Sequence, residues 1–343
     1  MKRRALISAG GLAVAGALAL PIAASGQDTA TSASADPAPD TPAQQSQGSE
    51  KSQRVGTLGV EVRGLSGGKM NVGDRGQVVG TLRPYVAKEH VKLFLLRNGH
   101  VIQKAEKRVR KVPNHDSGRV KMRTKRIVKP AHYRAVAIHQ PSQSIPKAKN
   151  RTNTFIVRYR GFNGGSSDTI HLFNTLLNKD GYGNAPNGNS YNDASRRAVL
   201  AFRKVNGMPR TTSATSNIFK MVAGRKGRFK PKYPGGGRHV EVDISRQVMA
   251  LIDHGRAQYT YHVSTGAPST PTIRGHFNFY SKQPGYNSSQ MYYSVYFHGG
   301  YATHGYHSVP TYNASHGCVR NPIPDSKFIY NWIHLGESIW VYG

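Results

Sequence analysis

The chain predicts a multidomain, mostly β protein: an antiparallel sandwich, a small helical module, then a second mostly β domain with one short helix. Three observations predict it. Short apolar runs of strand length fill residues 59–159 and 238–343, while apolar residues recur at helical spacing from Ser167 to Val205. Glycine-rich linkers, Gly161–Gly165 and Tyr233-Pro234-Gly235-Gly236-Gly237, separate these stretches. The net charge of +31 is also unevenly spread: residues 51–163 hold 26 Lys and Arg against 5 Asp and Glu, whereas residues 238–343 hold 7 against 5.

Residues 1–26 read as a signal peptide or N-terminal anchor. Met1-Lys2-Arg3-Arg4 is a basic start, Ala5 to Ala24 is apolar, and Ala23-Ala24-Ser25-Gly26 offers small residues for cleavage. Left uncleaved, the apolar run is long enough to anchor the chain in a bilayer. Without a cysteine near the cleavage region, a lipoprotein anchor is excluded. Residues 27–54 are Ser, Thr, Ala, Pro, Gln and Asp with little to bury, and are expected to be a disordered linker.

Residues 55–160 form the basic β domain. Val78–Leu82, Val91–Leu96, Arg119–Met122 and Tyr133–Ile138 are expected strands, and Asn98-Gly99 is a hairpin turn. Strands of this length and spacing suggest an immunoglobulin-like β-sandwich. Its positive charge attracts polyanions; for an exported chain an anionic cell wall polymer fits the compartment, and nucleic acid does not.

Residues 165–230 follow as the helical module. Ile170, Leu172, Phe173, Leu176 and Leu177 share one helical face behind an N-cap at Ser167 or Asp168, and Ala194, Ala198, Val199 and Phe202 share a second. Residues Leu172, Leu176-Leu177, Gly181-Tyr182, Tyr191, Ala198-Val199, Phe202 and Gly207-Met208 resemble the small three-helix peptidoglycan-binding domain that accompanies many wall enzymes. The resemblance implies a wall-binding role. Asn174 stands where that family usually has glutamine, and the Gly181–Ser190 loop is long.

In residues 238–343, His239–Ile244 and Val248–Ile252 form an expected hairpin, and Tyr259–Val263, Phe277–Tyr280, Tyr292–His298 and Ile339–Tyr342 continue the sheet. Ser326–His334 is the helix candidate. Here lies the chain's one cysteine, in Ala314-Ser315-His316-Gly317-Cys318-Val319-Arg320. A single cysteine in an exported chain cannot close an intramolecular disulfide, so its chemistry is expected to be nucleophilic. A thiol needs a base within reach, and His298, His304, His307 and His316 all lie just upstream. An extended chain would put His316 and Cys318 on one face, and Gly317 would let backbone amides approach an oxyanion. His298 and His307 are first candidates for structural histidines. The spacings provide no second ligand pair for zinc, so neither metal nor cofactor is expected.

Gly300-Tyr301-Ala302-Thr303-His304-Gly305 followed by the Ser-His-Gly-Cys segment resembles the catalytic motif of the L,D-transpeptidase (YkuD-type) family. Val240–Asp243, Gln247, Val263–Gly266, Thr270–Thr272 and Gly275–Phe277 match its strands and turns, so the likeness spans residues 238–343. It implies a β-sandwich with the cysteine at a strand end lining a cleft. Cys318 would be the nucleophile and His304 the general acid/base. Ser315, His316, Gly317 and Arg320 would shape the substrate and oxyanion site, with Tyr292 and Tyr293 under a lid of residues 281–297. The implied reaction attacks the third residue of a peptidoglycan stem tetrapeptide, releases D-alanine, and passes the acyl group to a diamino-acid side-chain amine as a 3→3 cross-link. Thr303 replaces the family's apolar residue before His-Gly, and ten residues separate His304 from Ser315, fewer than is common. His298 stays open as the base. Two other functions stay open: an L,D-carboxypeptidase using water as acceptor, and a non-catalytic wall-binding protein.

Overall fold

The computed structural model describes residues 56–183 and 188–343. The expected leader (1–26) and linker (27–54) lie outside the described residues, as does part of the Gly181–Ser190 loop.

The basic β domain builds two sheets. One takes the order β1-β3-β7-β6, from β1 (Thr57–Arg63), β3 (Gln77–Arg83), β6 (Arg110–Lys111) and β7 (Gly118–Arg123). The other is β2-β10-β8-β4-β5 with β9 on β8, from β2 (Lys69–Asn71), β4 (His90–Arg97), β5 (His100–Arg108), β8 (Ala131–His139), β9 (Ala148–Arg151) and β10 (Phe155–Arg158). Alternation decides the faces: Val91, Leu93 and Leu95 of β4 and Val120 and Met122 of β7 point into a shared core, and Lys92, Phe94 and Lys121 between them take the other face. Asn98 and Gly99, both at positive φ, make the β4–β5 turn that the Asn-Gly pair predicts.

Three helices follow: α1 (Asp168–Lys179), α2 (Asp193–Val205) and α3 (Ser216–Ala223). Each is capped by a side-chain oxygen, of Ser167, Asn192 and Thr215 respectively. Phe162, in the expected linker, is partly buried and packs on the core: its ring lies 5.0 Å from Phe173 and 5.1 Å from Tyr191. One apolar cluster consequently runs from Leu58 to Val222 through both sheets and all three helices. Asp74 and Thr169 seal the junction with a hydrogen bond of 2.7 Å.

The C-terminal region has two more sheets. The first is β13-β12-β11-β19-β14, built from β11 (His239–Asp243), β12 (Val248–Asp253), β13 (Arg256–His262), β14 (Gly275–Asn278) and β19 (Ser338–Tyr342). The second is β15-β16-β17-β18, from β15 (Ser281–Tyr286), β16 (Tyr292–His298), β17 (Tyr301–Tyr306) and β18 (Val319–Pro322). Val240, Val242, Met249 and Leu251 from one sheet pack with Val295, Phe297 and Val319 from the other. The helix α4 (Ile323–Trp332) begins three residues before the expected Ser326, because Pro324 suits a first helical turn, and ends at Trp332 where Ile333 turns extended.

β12 is buried on both faces, which explains its unbroken apolar run: Met249 and Leu251 face the sandwich, while Val248, Ala250 and Ile252 lie under Phe229, with Val205 packed against them. α2 is thereby docked on the C-terminal sheet. The second expected linker is also packed, since Tyr233 stacks on Trp340 at 5.2 Å and its amide donates to buried Glu241. Burial alone would raise the pKa of Glu241, but hydrogen bonds from His239, Tyr342 and the amides of Lys232 and Tyr233 outweigh it and hold the carboxyl below its usual value.

Candidate active site

β17 and β18 run parallel, with Thr303 opposite Val319 and His304 opposite Arg320. Side chains alternate along both strands, so two sets result. Thr303, Val319 and Asn321 face inward: Thr303 Oγ1 donates to Met249 Sδ and accepts from Asn321 Nδ2, which is how a hydroxyl replaces the usual apolar residue there. His304, Tyr306, Arg320 and the preceding Cys318 share the outer face. By alternation Cys318, just before β18, and His304 on β17 fall on the same side of this strand pair. His298 is exposed on β16, one strand further away, with its ring against Phe277 at 5.2 Å. His307 is exposed and packs on Tyr306 at 4.2 Å.

The thiol is half-buried and donates to the carbonyl of Gly300 at 3.5 Å. Burial raises its pKa, opposed by a hydrogen bond from the Ala302 amide and by the positive charge of Arg320. His304 is buried, and its Nδ1 donates to the Gly305 carbonyl at 2.9 Å. That bond assigns the proton to Nδ1 and leaves Nε2 as the basic atom. Burial drives the imidazole down to about 4; the Gly305 bond opposes this and Arg320 reinforces it. At neutral pH the combination is a neutral imidazole and a protonated thiol. It is suited to base-assisted attack, not to a standing thiolate–imidazolium ion pair.

The loop that delivers Cys318 is held by main-chain bonds. Ala314 and Ser315 amides donate to Thr265 O, and Ala267 N and Thr270 Oγ1 donate to Ser315 O. Thr272 Oγ1 donates to Gly317 O at 2.7 Å. Gln247 in turn holds Thr265 through both its amide atoms.

Several expected roles are corrected by this geometry. Ser315 is buried and its hydroxyl is committed, donating to Cys318 O at 2.5 Å and accepting from Gly317 N at 3.1 Å, so it clips the loop. The Gly317 amide is spent on the same clip and is not presented to an oxyanion. Glycine is needed at 317 because φ is +114° and a Cβ would sit 2.7 Å from Tyr301 Cε1. The extended geometry expected for His316 is also absent: it is exposed in a bend. Arg320 stacks over Tyr306 at 4.1 Å and donates to Ala314 O. Residues 281–297 are the β15–β16 hairpin, so Tyr292 and Tyr293 belong to it and do not lie beneath it. Tyr292 pairs with Gly305, next to His304, while Tyr293, at positive φ within a bulge, turns onto Tyr330 of α4 at 5.0 Å. Among the described residues, no three His, Cys, Asp or Glu side chains converge as metal ligands.

Sequence reasoning missed the buttress behind the loop. Lys204 of α2 is buried and donates to Gln247 O at 3.1 Å and Val263 O at 2.9 Å, beside the Ser264-Thr265 support. Arg210 donates to Thr311 O within the loop and to Ser245 O. Arg197 pairs with Asp325 of α4 at 2.9 Å. The signal was the run Ala198-Val199-Leu200-Ala201-Phe202, apolar on more than one helical face and so buried against two partners.

Comparison with known proteins follows the same lines. Residues 237–341 match the model of the YkuD family, described as the L,D-transpeptidase catalytic domain. The chain is similar to a solved L,D-transpeptidase fragment from Xylanimonas cellulosilytica at 28% identity and a TM-score of 0.50, covering 54% of this chain and 98% of that one. An L,D-transpeptidase from Stackebrandtia nassauensis aligns at 22% identity and a TM-score of 0.33 over 53% of this chain and 93% of its own. L,D-transpeptidase 3 from Mycobacterium tuberculosis aligns at 19% and 0.29 over 31% and 60%. No curated protein matches the chain. With the cysteine and histidine motifs on one face of β17–β18 and the family model spanning both sheets, residues 237–341 are an L,D-transpeptidase catalytic domain of the YkuD family.

Proposed function

We propose that the protein is an exported enzyme that forms 3→3 peptidoglycan cross-links through an acyl-enzyme on Cys318. The observation that carries this reading is the shared outer face of Cys318 and His304, with His304 Nε2 left basic by the Gly305 bond. Nε2 takes the thiol proton as Sγ attacks the carbonyl of the third stem residue. The tetrahedral adduct collapses when the imidazolium returns that proton to the leaving D-alanine amine, leaving a thioester. A side-chain amine of a neighbouring stem then attacks, gives its proton to His304, and expels the thiolate, which is reprotonated. Arg320, beside both groups, stabilises the thiolate that forms and disfavours a resting imidazolium.

On this reading the leader exports the chain, residues 55–160 are an immunoglobulin-like spacer, and residues 165–230 are a three-helix wall-binding domain docked on the catalytic sheets. Incubating the purified chain with disaccharide-tetrapeptide and weighing the products tests it. A cross-linked dimer supports the transpeptidase. Tripeptide alone would make it a carboxypeptidase with water as acceptor, and unchanged substrate would leave a non-catalytic wall binder.

A further inference from the structure

We propose that a groove on the basic β domain binds a linear phosphodiester polymer. Lys107, Arg108, Arg110, Lys111, Arg119 and Lys121 line a groove of about 480 Å³. No carboxylate lines it, and none of these six side chains takes part in an ion pair among the described residues. Such crowding is unfavourable in itself. In the β6–β7 register, Arg110 lies directly opposite Arg119, a like-charge cross-strand pair that destabilises a sheet unless an anion lies between the two. Arg119 adds an independent sign, because its Nε is buried with no hydrogen-bond partner. A guanidinium with an unused donor among five other cations is suited to a phosphate oxygen.

The lining narrows the partner. Six cations in one groove suit a chain carrying repeated charges better than a compact anion with few. Val112, Pro113 and Val120 complete the lining and suit the carbon spacers between charges. No aromatic side chain lines it, so it lacks the stacking platform on which single-stranded nucleic acids are held. The neighbouring catalytic region, with 7 Lys and Arg against 5 Asp and Glu, would contribute little to such binding.

The test uses the full-length chain in mild detergent and a poly(glycerol phosphate) probe of about ten repeats, titrated over a range of salt. Lys107→Gln, Arg110→Gln, Arg119→Gln and Lys121→Gln together should weaken binding about tenfold or more and flatten the log–log salt slope by about 3, near 0.7 per lost charge. Arg110→Lys with Arg119→Lys should keep the slope, which separates charge from a folding defect. The four-charge control Lys147→Gln, Lys149→Gln, Arg151→Gln and Arg158→Gln, on β10 and in and beside β9, should change binding much less. An equal loss in the control, no binding by the unaltered chain, or tighter binding of a single-stranded oligodeoxynucleotide of equal charge overturns the proposal.

Discussion

Replacing Lys204 by methionine removes a buried amine that ties α2 to the support of the active-site loop. Its Nζ reaches two carbonyls, of Gln247 and Val263, and no carboxylate. Burial, with a smaller contribution from the charge of Arg210, lowers its pKa from 10.5 to about 7. The neutral amine keeps two hydrogens, enough for both carbonyls, so shedding the proton sacrifices neither bond. The sign follows from linkage. Between pH 7 and 10.5 the unfolded chain still binds a proton that the folded chain has released, so stability rises with pH across that window. One proton contributes up to about 1.4 kcal/mol per pH unit, and the gain from pH 7 to pH 9 is about 2 kcal/mol. Urea unfolding of the original chain and of Lys204→Met at pH 6, 7, 8 and 9 isolates this in the difference between the two curves. The difference should be level below pH 6.5 and climb by about 2 kcal/mol to pH 9. A level difference across the whole range would refute a deprotonating Lys204 and leave an ammonium fully charged in the interface.

The rate of Cys318 alkylation by iodoacetamide should titrate above the ordinary thiol range, since burial raises the pKa, and Arg320→Gln should move the midpoint higher. A midpoint at or below neutrality would indicate a standing ion pair with His304. His304→Ala should slow adduct formation with a stem peptide far more than His298→Ala, read by mass spectrometry; the opposite order would move the base to His298. Gly317→Ala must force a side chain into positive φ and against Tyr301, with about 1–3 kcal/mol of backbone strain, lowering both urea stability and acylation. Arg197→Met leaves the buried carboxylate of Asp325 unpaired, at about 3 kcal/mol near neutral pH. That loss should shrink on acidification as Asp325 takes up a proton, and a loss independent of pH would show that the pair is not electrostatic.

The strands of the basic domain were legible because their outer faces are solvated, and alternation then marks each residue. The hairpin at Asn98-Gly99 was legible because few other residues adopt two successive positive φ values. The linkers misled for a related reason. Glycine marks a break in periodicity, but it does not tell whether a neighbouring ring such as Phe162 or Tyr233 finds a core. In the site, Cys318 and His304 were legible from residue type and motif. The roles of Ser315, Gly317 and His316 were not, because they depend on where the loop backbone points. Ser315 is fixed by its contacts with residues 265–270, and Gly317 by a φ of +114° that only glycine adopts easily.

Residue chemistry by itself determined that this chain carries one thiol among histidines, a strongly cationic region ahead of it, and strand-like and helix-like stretches in a set order. Which hydroxyls are consumed in holding the loop, which face of its strand each histidine takes, and that α2 braces the C-terminal sheets were decided only in three dimensions. The reason is physical. Periodicity reports which face of an element is apolar, whereas the pairing of β17 with β18 and the burial of Lys204 join residues far apart in the chain, and no local pattern encodes those distances.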